Sequence, residues 1–418
     1  MGVSGETEFV FNSLLFLFCG MFVMFMAAGF CMLETGMVRS KNAATISLKN
    51  IALYSIAGLM FYVVGYNLMY GVSTGGVIGS FTPWGADDPA LISGEFETGG
   101  YAAGSDWFFQ MVFCATTASI VSGTLAERMK LWPFLIFTVV LTGFIYPIQG
   151  AWEWGGGWLD ANFAFSDFAG STLVHSVGGW AALMGAIFLG ARAGKYGPDG
   201  RVHPMVGSNL PLATLGTFVL WLGWFGFNGG SQLALGSAQN AVDISQIFIN
   251  TNTAAAAGVV VAMIATQLLY KKVDLTMALN GALAGLVSIT AEPLTPSIPM
   301  AALIGGVGGL LVVFAVPLLD RFKIDDVVGA IPVHLFAGIW GTLAVPLTHR
   351  GSMADGDPTF LGQLIGVLAI GIFVCASSAI VWAALKYTIG IRVTAEEEAD
   401  GLDYSELGLE AYPEFVNA

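Results

Sequence analysis

Long apolar segments recur along the chain at short intervals, and this pattern limits the fold more than any other feature of the sequence. Between residues 9 and 388, most of these segments are long enough to cross a hydrocarbon core of about 30 Å as a helix. Only 11% of the residues are charged, whereas soluble domains carry about 25% charged residues. A soluble fold cannot bury so much apolar surface. The pattern therefore predicts an all-α, polytopic membrane protein.

The apolar segments divide into eleven predicted membrane-spanning helices. We assign residues 1–392 to one transmembrane domain and residues 393–418 to a C-terminal tail. The tail is acidic from Glu396 to Asp403, and we expect it either to stay solvated or to dock on the cytoplasmic face. Many glycines lie within the spans, which favours close helix packing in lipid. The approximate bounds of the spans are residues 9–33, 43–71, 107–126, 131–150, 168–190, 207–230, 246–270, 275–291, 299–319, 328–347 and 360–388.

Basic residues collect in alternate loops, and this distribution predicts the orientation of the chain. Lys and Arg accumulate in the cytoplasmic loops of membrane proteins. Of the 15 basic residues, only Arg350 falls outside one alternating set of loops and flanks. The others are Arg39, Lys41, Lys49, Arg128, Lys130, Arg192, Lys195, Arg201, Lys271, Lys272, Arg321, Lys323, Lys386 and Arg392. We therefore expect the N-terminus outside and the C-terminus inside. The external loops are acidic, as in Asp87, Asp88, Glu95, Glu97 and Asp106.

Two Asp-His pairs with the same spacing indicate an internal repeat. Asp167 precedes His175 by eight residues, and Asp326 precedes His334 by eight. Eight helical residues rise about 12 Å, so each histidine should lie toward the middle of the bilayer. Two halves of five spans each, at residues 9–190 and 207–347, must be inserted in opposite directions, as in inverted-repeat transporters. We expect the histidines to meet near the midplane, as paired structural groups or as groups lining a path.

Aromatic residues cluster at the predicted outer ends of three spans. Phe109 and Phe113 are one turn apart on the third span and share a helix face. Trp154 precedes the fifth span, and Phe227 and Ser231 end the sixth. Such residues either belong to an interfacial aromatic belt or converge around a small cation, which aromatic faces attract. Neighbouring glycines favour the second interpretation, and a ring stack would also block hydrated ions.

Other classes of function find less support in the sequence. The net charge of −14 argues against a nucleic-acid partner. A haem protein would use His175 and His334 as its one bis-histidine site, because His203 and His349 are in loops. A Ser-His-Asp hydrolase is excluded because a catalytic triad needs side chains that hydrogen-bond to one another. Neighbouring residues of a helix point about 100° apart, which does not give that geometry. We therefore predict no enzyme, cofactor or metal site. The four cysteines are expected to be small buried hydrophobes: Cys19, Cys31, Cys114 and Cys375.

Five segments of the chain together resemble the ammonium transporter, methylammonium permease and Rhesus family. The resemblance covers nearly the whole chain. The chain differs from related bacterial members at two places. At Gly329 those proteins often carry an acidic residue, and after His334 this chain has Leu335 and Phe336 in place of the usual glycine start. The matching segments are ETGMVRSKN at residues 34–42, AER at 126–128, DFAGSTLVH at 167–175, WFGFN at 224–228 and GLD at 401–403.

The resemblance implies a function and a set of site residues. It implies a homotrimer in the plasma (inner) membrane, in which each eleven-helix protomer conducts ammonium or ammonia, and methylammonium as an analogue. A trimeric PII-type protein would be the cytoplasmic regulator, and an ammonium sensor that signals through a partner is the alternative function. The implied residues are Phe113, Trp154 and Ser231 as an outer cation site, Phe113 and Phe227 as a gate, His175 and His334 as a pore pair, and Asp167, Phe109 and Trp224 as supporting residues.

Overall fold

The computed structural model describes residues 3–348 and 357–415, and this part of the chain contains helices and no β-strand. Helices lie at all eleven predicted positions. The predicted loop residues His349 and Arg350 lie outside the described residues. The helices are α1 (Gly5–Met37), α2 (Ser40–Tyr70), α3 (Ala103–Thr124), α4 (Leu131–Ala151), α5 (Ser171–Leu189), α6 (Leu210–Gly230), α7 (Ala238–Tyr270), α8 (Leu275–Ile289), α9 (Ile298–Arg321), α10 (Ile331–Thr348) and α11 (Phe360–Thr388).

Nine of these helices, within the described ranges, are long and apolar enough to cross a membrane. The other two are α3 and α8, which are the third helix of each predicted half. They lie in the interior of the bundle, where nearly every residue from Phe109 to Thr124 and from Ala278 to Ile289 is buried. A helix surrounded by other helices needs no lipid-facing apolar surface, which explains the lower hydropathy of α3. The length of α8, 15 residues, sets it apart from the nine.

Several helices extend beyond their predicted apolar cores. α1 begins at Gly5, where the Ser4 side chain accepts a hydrogen bond from the Thr7 amide. α7 begins at Ala238, capped in the same way by Ser237. The hydropathy of the sequence marks only the part of a helix that lies in lipid, and capping side chains extend the helix into water. The extension matters most for α3, which begins at Ala103 and so includes Asp106, a residue that the sequence placed in an external loop.

The glycines between residues 305 and 309 allow the close packing predicted for them. An added Cβ at Gly309 would lie 2.3 Å from the carbonyl oxygen of Gly258 on α7. At Gly305, an added Cβ would lie 2.1 Å from the carbonyl oxygen of Ala254. Both distances are shorter than any real contact, so the backbones of α7 and α9 touch only because these side chains are absent.

A network of ion pairs joins the loops at the end of the bundle where most basic residues lie. Glu127 Oε2 is 2.5 Å from Arg39 Nη2 and 3.3 Å from Arg192 Nη1. Arg192 Nε also donates to Asp325 Oδ2 at 2.9 Å. Burial acts to raise the pKa of Asp325, but the Arg192 hydrogen bond and the charges of Arg128 and Arg192 outweigh it, so this pKa lies well below its ordinary value. The network therefore joins loops from four parts of the chain.

The C-terminal tail packs against the same end of the bundle through two short helices, α12 (Ala395–Asp400) and α13 (Leu402–Leu407). Asp403 is buried and accepts hydrogen bonds from the amides of Ala44 (2.9 Å) and Thr45 (2.7 Å) at the start of α2. The amide of Leu402 donates to Asn42 Oδ1 at 3.0 Å. The tail was expected either to stay solvated or to dock, and its segment up to residue 407 is docked on the bundle.

Candidate functional site

Two equivalent turns begin α5 and α10 and position the two central histidines. Asp167 accepts hydrogen bonds from four backbone amides, those of residues 170–173, at 2.7–3.1 Å. Asp326 accepts from the amides of Gly329 (3.2 Å) and Ile331 (2.7 Å). Each aspartate therefore caps a helix start, which stabilises the free amides there.

Glycine occupies the third position after each aspartate. Gly170 has a φ of +106° and Gly329 a φ of +81°, a left-handed conformation that favours glycine. The pattern of Asp, Gly at the third position and His at the eighth therefore occurs in both halves. Gly329 is thus the counterpart of Gly170, and a side chain there would be strained and would also meet Asn280. This geometry accounts for glycine at the position where the family resemblance departs.

The first turns of α5 and α10 are π-helical, at Ser171–Ser176 and Ile331–Phe336, and these segments contact each other. His175 Nδ1 and His334 Nδ1 lie 3.1 Å apart, and both side chains are buried. Two unprotonated nitrogens would repel at this distance, so one Nδ1 carries the hydrogen and donates to the other. His175 Nε2 is buried and has no hydrogen-bond partner within the described part of the chain.

Aromatic side chains surround the histidine pair. The Trp224 ring stacks on His175, with centroids 4.9 Å apart, and Trp224 Nε1 donates to Thr290 Oγ1 at 2.8 Å. On the other side of the pair, Phe30 lies 6.1 Å from His334 between ring centroids. Nothing in the sequence of α1 marked Phe30 for this position, because phenylalanines are common along that helix.

A stack of two phenylalanines separates the histidines from the predicted outer end of the bundle. The Phe113 and Phe227 rings are 4.0 Å apart between centroids and inclined by 25°, and both are buried. Phe227 also lies 5.2 Å from His175 between centroids. The rings therefore follow each other in the order Phe113, Phe227, His175 and His334.

A cavity of about 330 Å³ opens on the far side of Phe113. Its wall contains Phe109, Phe113, Trp154 and Ser231, which brings together four residues predicted from the sequence. Phe109 and Phe113 contact each other with centroids 4.8 Å apart, and Trp154 meets Phe113 edge-on at 6.1 Å. The Trp154 ring is held by a hydrogen bond of 2.9 Å from Nε1 to the carbonyl oxygen of Asp167. Trp224 and Phe227 lie deeper, beside His175.

The cavity also contains residues that the sequence did not indicate. Some of them could have been predicted from their spacing in the sequence, because Asp106, Gln110 and Phe113 recur at helical intervals and so lie on one face of α3. The tyrosines of α2 gave no such signal, since only the tertiary contact with α3 brings them here. The additional residues are Tyr66, Tyr70, Tyr101, Asp106, Gln110, Phe168 and Leu233.

A model of the Ammonium Transporter Family matches residues 14–412. The chain belongs to this family. The resemblance inferred from five sequence segments is thereby confirmed, and so is its class as a multi-span membrane transport protein. Ammonium transporter family proteins with similar sequences include the ammonium transporter Amt2 of Archaeoglobus fulgidus, 42% identical over 96% of this chain and 88% of that protein. The ammonium transporter of Bacillus subtilis is 34% identical over 98% of both.

Solved structures of ammonium transporter family proteins share the fold. A chain described as a sensor Amt protein superposes with a TM-score of 0.89 at 38% identity, covering 97% of this chain and 100% of that one. Candida albicans Mep2 superposes with a TM-score of 0.82 at 26% identity, covering 94% of this chain and 89% of that one.

Proposed function

We propose that each copy of this chain conducts ammonium or ammonia through a pore along the ring series from Phe113 to His334. The main support for the proposal is that the rings of Phe113, Phe227, His175 and His334 follow one another without a break and so join the outer cavity to the buried histidine pair. A side chain that costs free energy to bury in a membrane marks a transport path more often than a structural core. The two histidines and the two aspartates that position them are such side chains.

The outer cation site consists of Phe113, Trp154 and Ser231. A cation over an aromatic face gains about 0.5–2 kcal/mol, and the gain increases when water is excluded. Phe113 and Trp154 present faces and edges to the same cavity, and Ser231 lines it. Phe109 packs behind Phe113, and the Asp167 carbonyl oxygen orients Trp154. These contacts support a site for one small cation, either ammonium or methylammonium.

The gate consists of Phe113 and Phe227. Their stacked rings leave no room for a hydrated ion, so passage requires that the guest lose water and that the rings separate. Loss of water disfavours the charged form of an amine. Ammonium therefore releases its proton at or before this gate, and ammonia passes as the neutral species.

The pore pair consists of His175 and His334. Neutral imidazoles donate and accept hydrogen bonds, and their position between Trp224 and Phe30 keeps the path narrow and dry. The Nε2 of His175, which has no hydrogen-bond partner among the residues that the structure describes, offers a hydrogen bond to a passing molecule. The hydrogen shared between the two Nδ1 atoms makes the pair suited to relay the released proton.

Several features at the level of the whole protein belong to the same proposal. We infer eleven spans with the N-terminus outside, because α3 and α8 occupy equivalent interior positions and the basic residues lie at one end. Residues 1–392 form the transmembrane domain and residues 393–418 the cytoplasmic tail. The protein is a homotrimer in the lipid of the plasma (inner) membrane, with a PII-type regulator on its cytoplasmic face. It uses no cofactor and catalyses no reaction.

Reconstitution into liposomes tests the transport proposal. Purified protein should carry an ammonium-evoked flux, measured by internal pH and by electrical recording, with no comparable response to potassium. The assignment of His175 and His334 as the pore pair is wrong if the His175→Ala and His334→Ala proteins keep both the flux and the selectivity of the unaltered protein. Electrical recording also distinguishes net movement of the ion from movement of neutral ammonia.

A second candidate is an ammonium sensor, and the similarity to the sensor Amt protein favours it. In this case ammonium binding in the outer cavity would change the interaction with a cytoplasmic partner without bulk transport. The docked tail, which contacts α2 through Asp403, offers a surface that such a partner would contact. Ammonium binding without flux in liposomes would support the sensor over the transporter.

A further inference from the structure

A buried carboxylate without a cationic partner lines the outer cavity. Asp106 is only 5% exposed and lies in the wall of the cavity that contains Phe113, Trp154 and Ser231. Its Oδ2 accepts a hydrogen bond from the hydroxyl of Tyr66, and its Oδ1 accepts a weaker one from Gln110 Nε2 at 3.4 Å. Within residues 3–348 and 357–415, no Lys, Arg or His lies within 4 Å of the carboxylate. A buried charge is costly unless it is paired.

An unpaired hydroxyl lines the same cavity. The oxygen of Tyr70 is buried and has no hydrogen-bond partner among the residues that the structure describes. The Tyr70 ring packs against Tyr66, with centroids 5.0 Å apart, so the hydroxyl and the carboxylate belong to adjoining side chains. Buried polar groups are nearly always hydrogen-bonded, and exceptions indicate a missing partner. An occupant of the cavity that donates hydrogen bonds supplies that partner.

The position of Asp106 on α3 places it before the aromatic cation site. Asp106 and Phe113 are seven residues apart on one face of the helix, a rise of about 10.5 Å. Asp106 is in the first turn of α3, at the predicted outer end, and Phe113 is two turns deeper. A cation that enters from that side therefore meets the carboxylate first and the Phe113 and Trp154 rings second.

We propose that Asp106, with Tyr66 and Tyr70, forms a second cation subsite that binds dehydrating ammonium above the aromatic site. The inference rests on the proposed transport of ammonium. Asp106 supplies the counter-charge, and Tyr66 holds its carboxylate toward the cavity. Tyr70 accepts a hydrogen bond from the ion. The subsite raises the local concentration of ammonium at the entrance to the gate.

The test compares ammonium flux and ammonium binding for Asp106→Asn and the unaltered protein. The variant keeps the shape of the side chain and removes its charge. The half-saturating ammonium concentration should rise roughly tenfold, because a charge-assisted hydrogen bond is lost, while the maximal flux stays within about twofold. Asp106→Glu should restore part of the affinity. Asp87→Asn, which alters an exposed acidic residue of the preceding loop, is the matched control and should leave both quantities unchanged.

Binding is measured separately from transport, as the ammonium-dependent shift in melting temperature of the purified protein. If the unaltered protein shows no flux, but its ammonium binding weakens in Asp106→Asn, the transport proposal fails and the subsite stands. If flux is present, and Asp106→Asn has the half-saturating concentration and binding of the unaltered protein, the subsite is wrong. A fall in maximal flux with unchanged half-saturation would also overturn it, since that result indicates a structural role.

A second variant keeps the proposal testable if Asp106→Asn does not fold. Tyr70→Phe removes only the unpaired hydroxyl and should raise the half-saturating ammonium concentration about threefold. If Tyr70→Phe binds ammonium as tightly as the unaltered protein, the Tyr70 hydroxyl is not part of the subsite and the proposal of a subsite formed by Asp106, Tyr66 and Tyr70 is wrong. Trp132→Phe, at an exposed apolar position on α4, controls for the loss of an aromatic polar group elsewhere.

Discussion

The Nδ1 atoms of His175 and His334 share a hydrogen bond of 3.1 Å although 159 residues separate them in the chain. Each histidine is brought to this point by an aspartate-capped turn from a different half of the molecule. The bond requires a hydrogen on only one of the two nitrogens, so the neutral pair has two tautomeric arrangements. Exchange between them moves this hydrogen across the bond, and it is balanced when the ring that gains it releases a hydrogen from Nε2 and the other ring takes one up at Nε2.

Loss of either histidine should impair the pore. His334→Ala removes the only hydrogen-bond partner seen for the His175 ring within the described residues and opens space beside Phe30. We expect the ammonium flux or its selectivity over potassium to fall about tenfold or more, because one buried imidazole is left unpaired. Liposome flux and electrical recording measure both. His203→Ala, at an exposed loop histidine, should behave as the unaltered protein does.

Removal of the Trp154 ring should weaken cation binding. In Trp154→Leu, the cation–π contribution of about 0.5–2 kcal/mol is lost, which corresponds to a rise of about 2- to 30-fold in the half-saturating ammonium concentration. Trp132→Leu is the matched control, since Trp132 is 70% exposed on the outside of the bundle. Equal affinities for the Trp154→Leu and unaltered proteins would exclude the aromatic cation site.

The aspartate caps should stabilise the two halves in the same way. Asp167→Ala leaves four buried backbone amides without their acceptor, and we expect a loss of about 2–4 kcal/mol in the free energy of unfolding. Asp326→Ala should lower the melting temperature in the same direction but by less, because Asp326 accepts fewer backbone hydrogen bonds. Asp160→Ala, at an exposed aspartate, is the control. A melting temperature unchanged by Asp167→Ala would show that the cap contributes nothing.

Stability at low pH should depend on Asp325. Its pKa is lower in the folded protein than the ordinary value of about 3.9, because Arg192 and Arg128 favour the ionised form against the effect of burial. The stabilisation is therefore fully present above about pH 4 and is lost as the pH falls through the folded pKa. The difference in melting temperature between the unaltered protein and Asp325→Asn should be largest near neutral pH and should shrink below about pH 4. A difference independent of pH would contradict the ion pair.

The docked tail should loosen when its cap on α2 is removed. Asp403→Ala deprives the amides of Ala44 and Thr45 of their hydrogen-bond acceptor. Limited proteolysis should then cleave the segment between residues 391 and 407 severalfold faster, which corresponds to a loss of about 1 kcal/mol in the free energy of tail docking. Glu396→Ala, at an exposed position of α12, is the matched control. Equal cleavage of the Asp403→Ala and unaltered proteins would indicate that other contacts hold the tail.

Much of the helical layout was predictable from the sequence because hydropathy is a local property. The apolar segments located eleven helices, and the equal spacing of Asp167 from His175 and Asp326 from His334 indicated both the repeat and the histidine pair. The helix ends were less accurate, since capping residues such as Ser4 and Ser237 extend helices into polar sequence. The sequence also placed Asp106 in a loop, although it lies in α3, which begins at Ala103 without a side-chain cap.

By itself, the sequence determined the membrane class, the helices, the equal spacing of the two Asp-His turns and the aromatic residues Phe113, Trp154 and Phe227. Only the tertiary structure decided which side chains share the outer cavity. Tyr66 and Tyr70 come from α2 and meet Asp106 on α3 through packing between helices, a contact that no local pattern encodes. The lack of a cationic partner for the Asp106 carboxylate, among the described residues, is recognised only when its spatial neighbours are known. Two of those near it, Tyr66 and Tyr70, are distant in the chain.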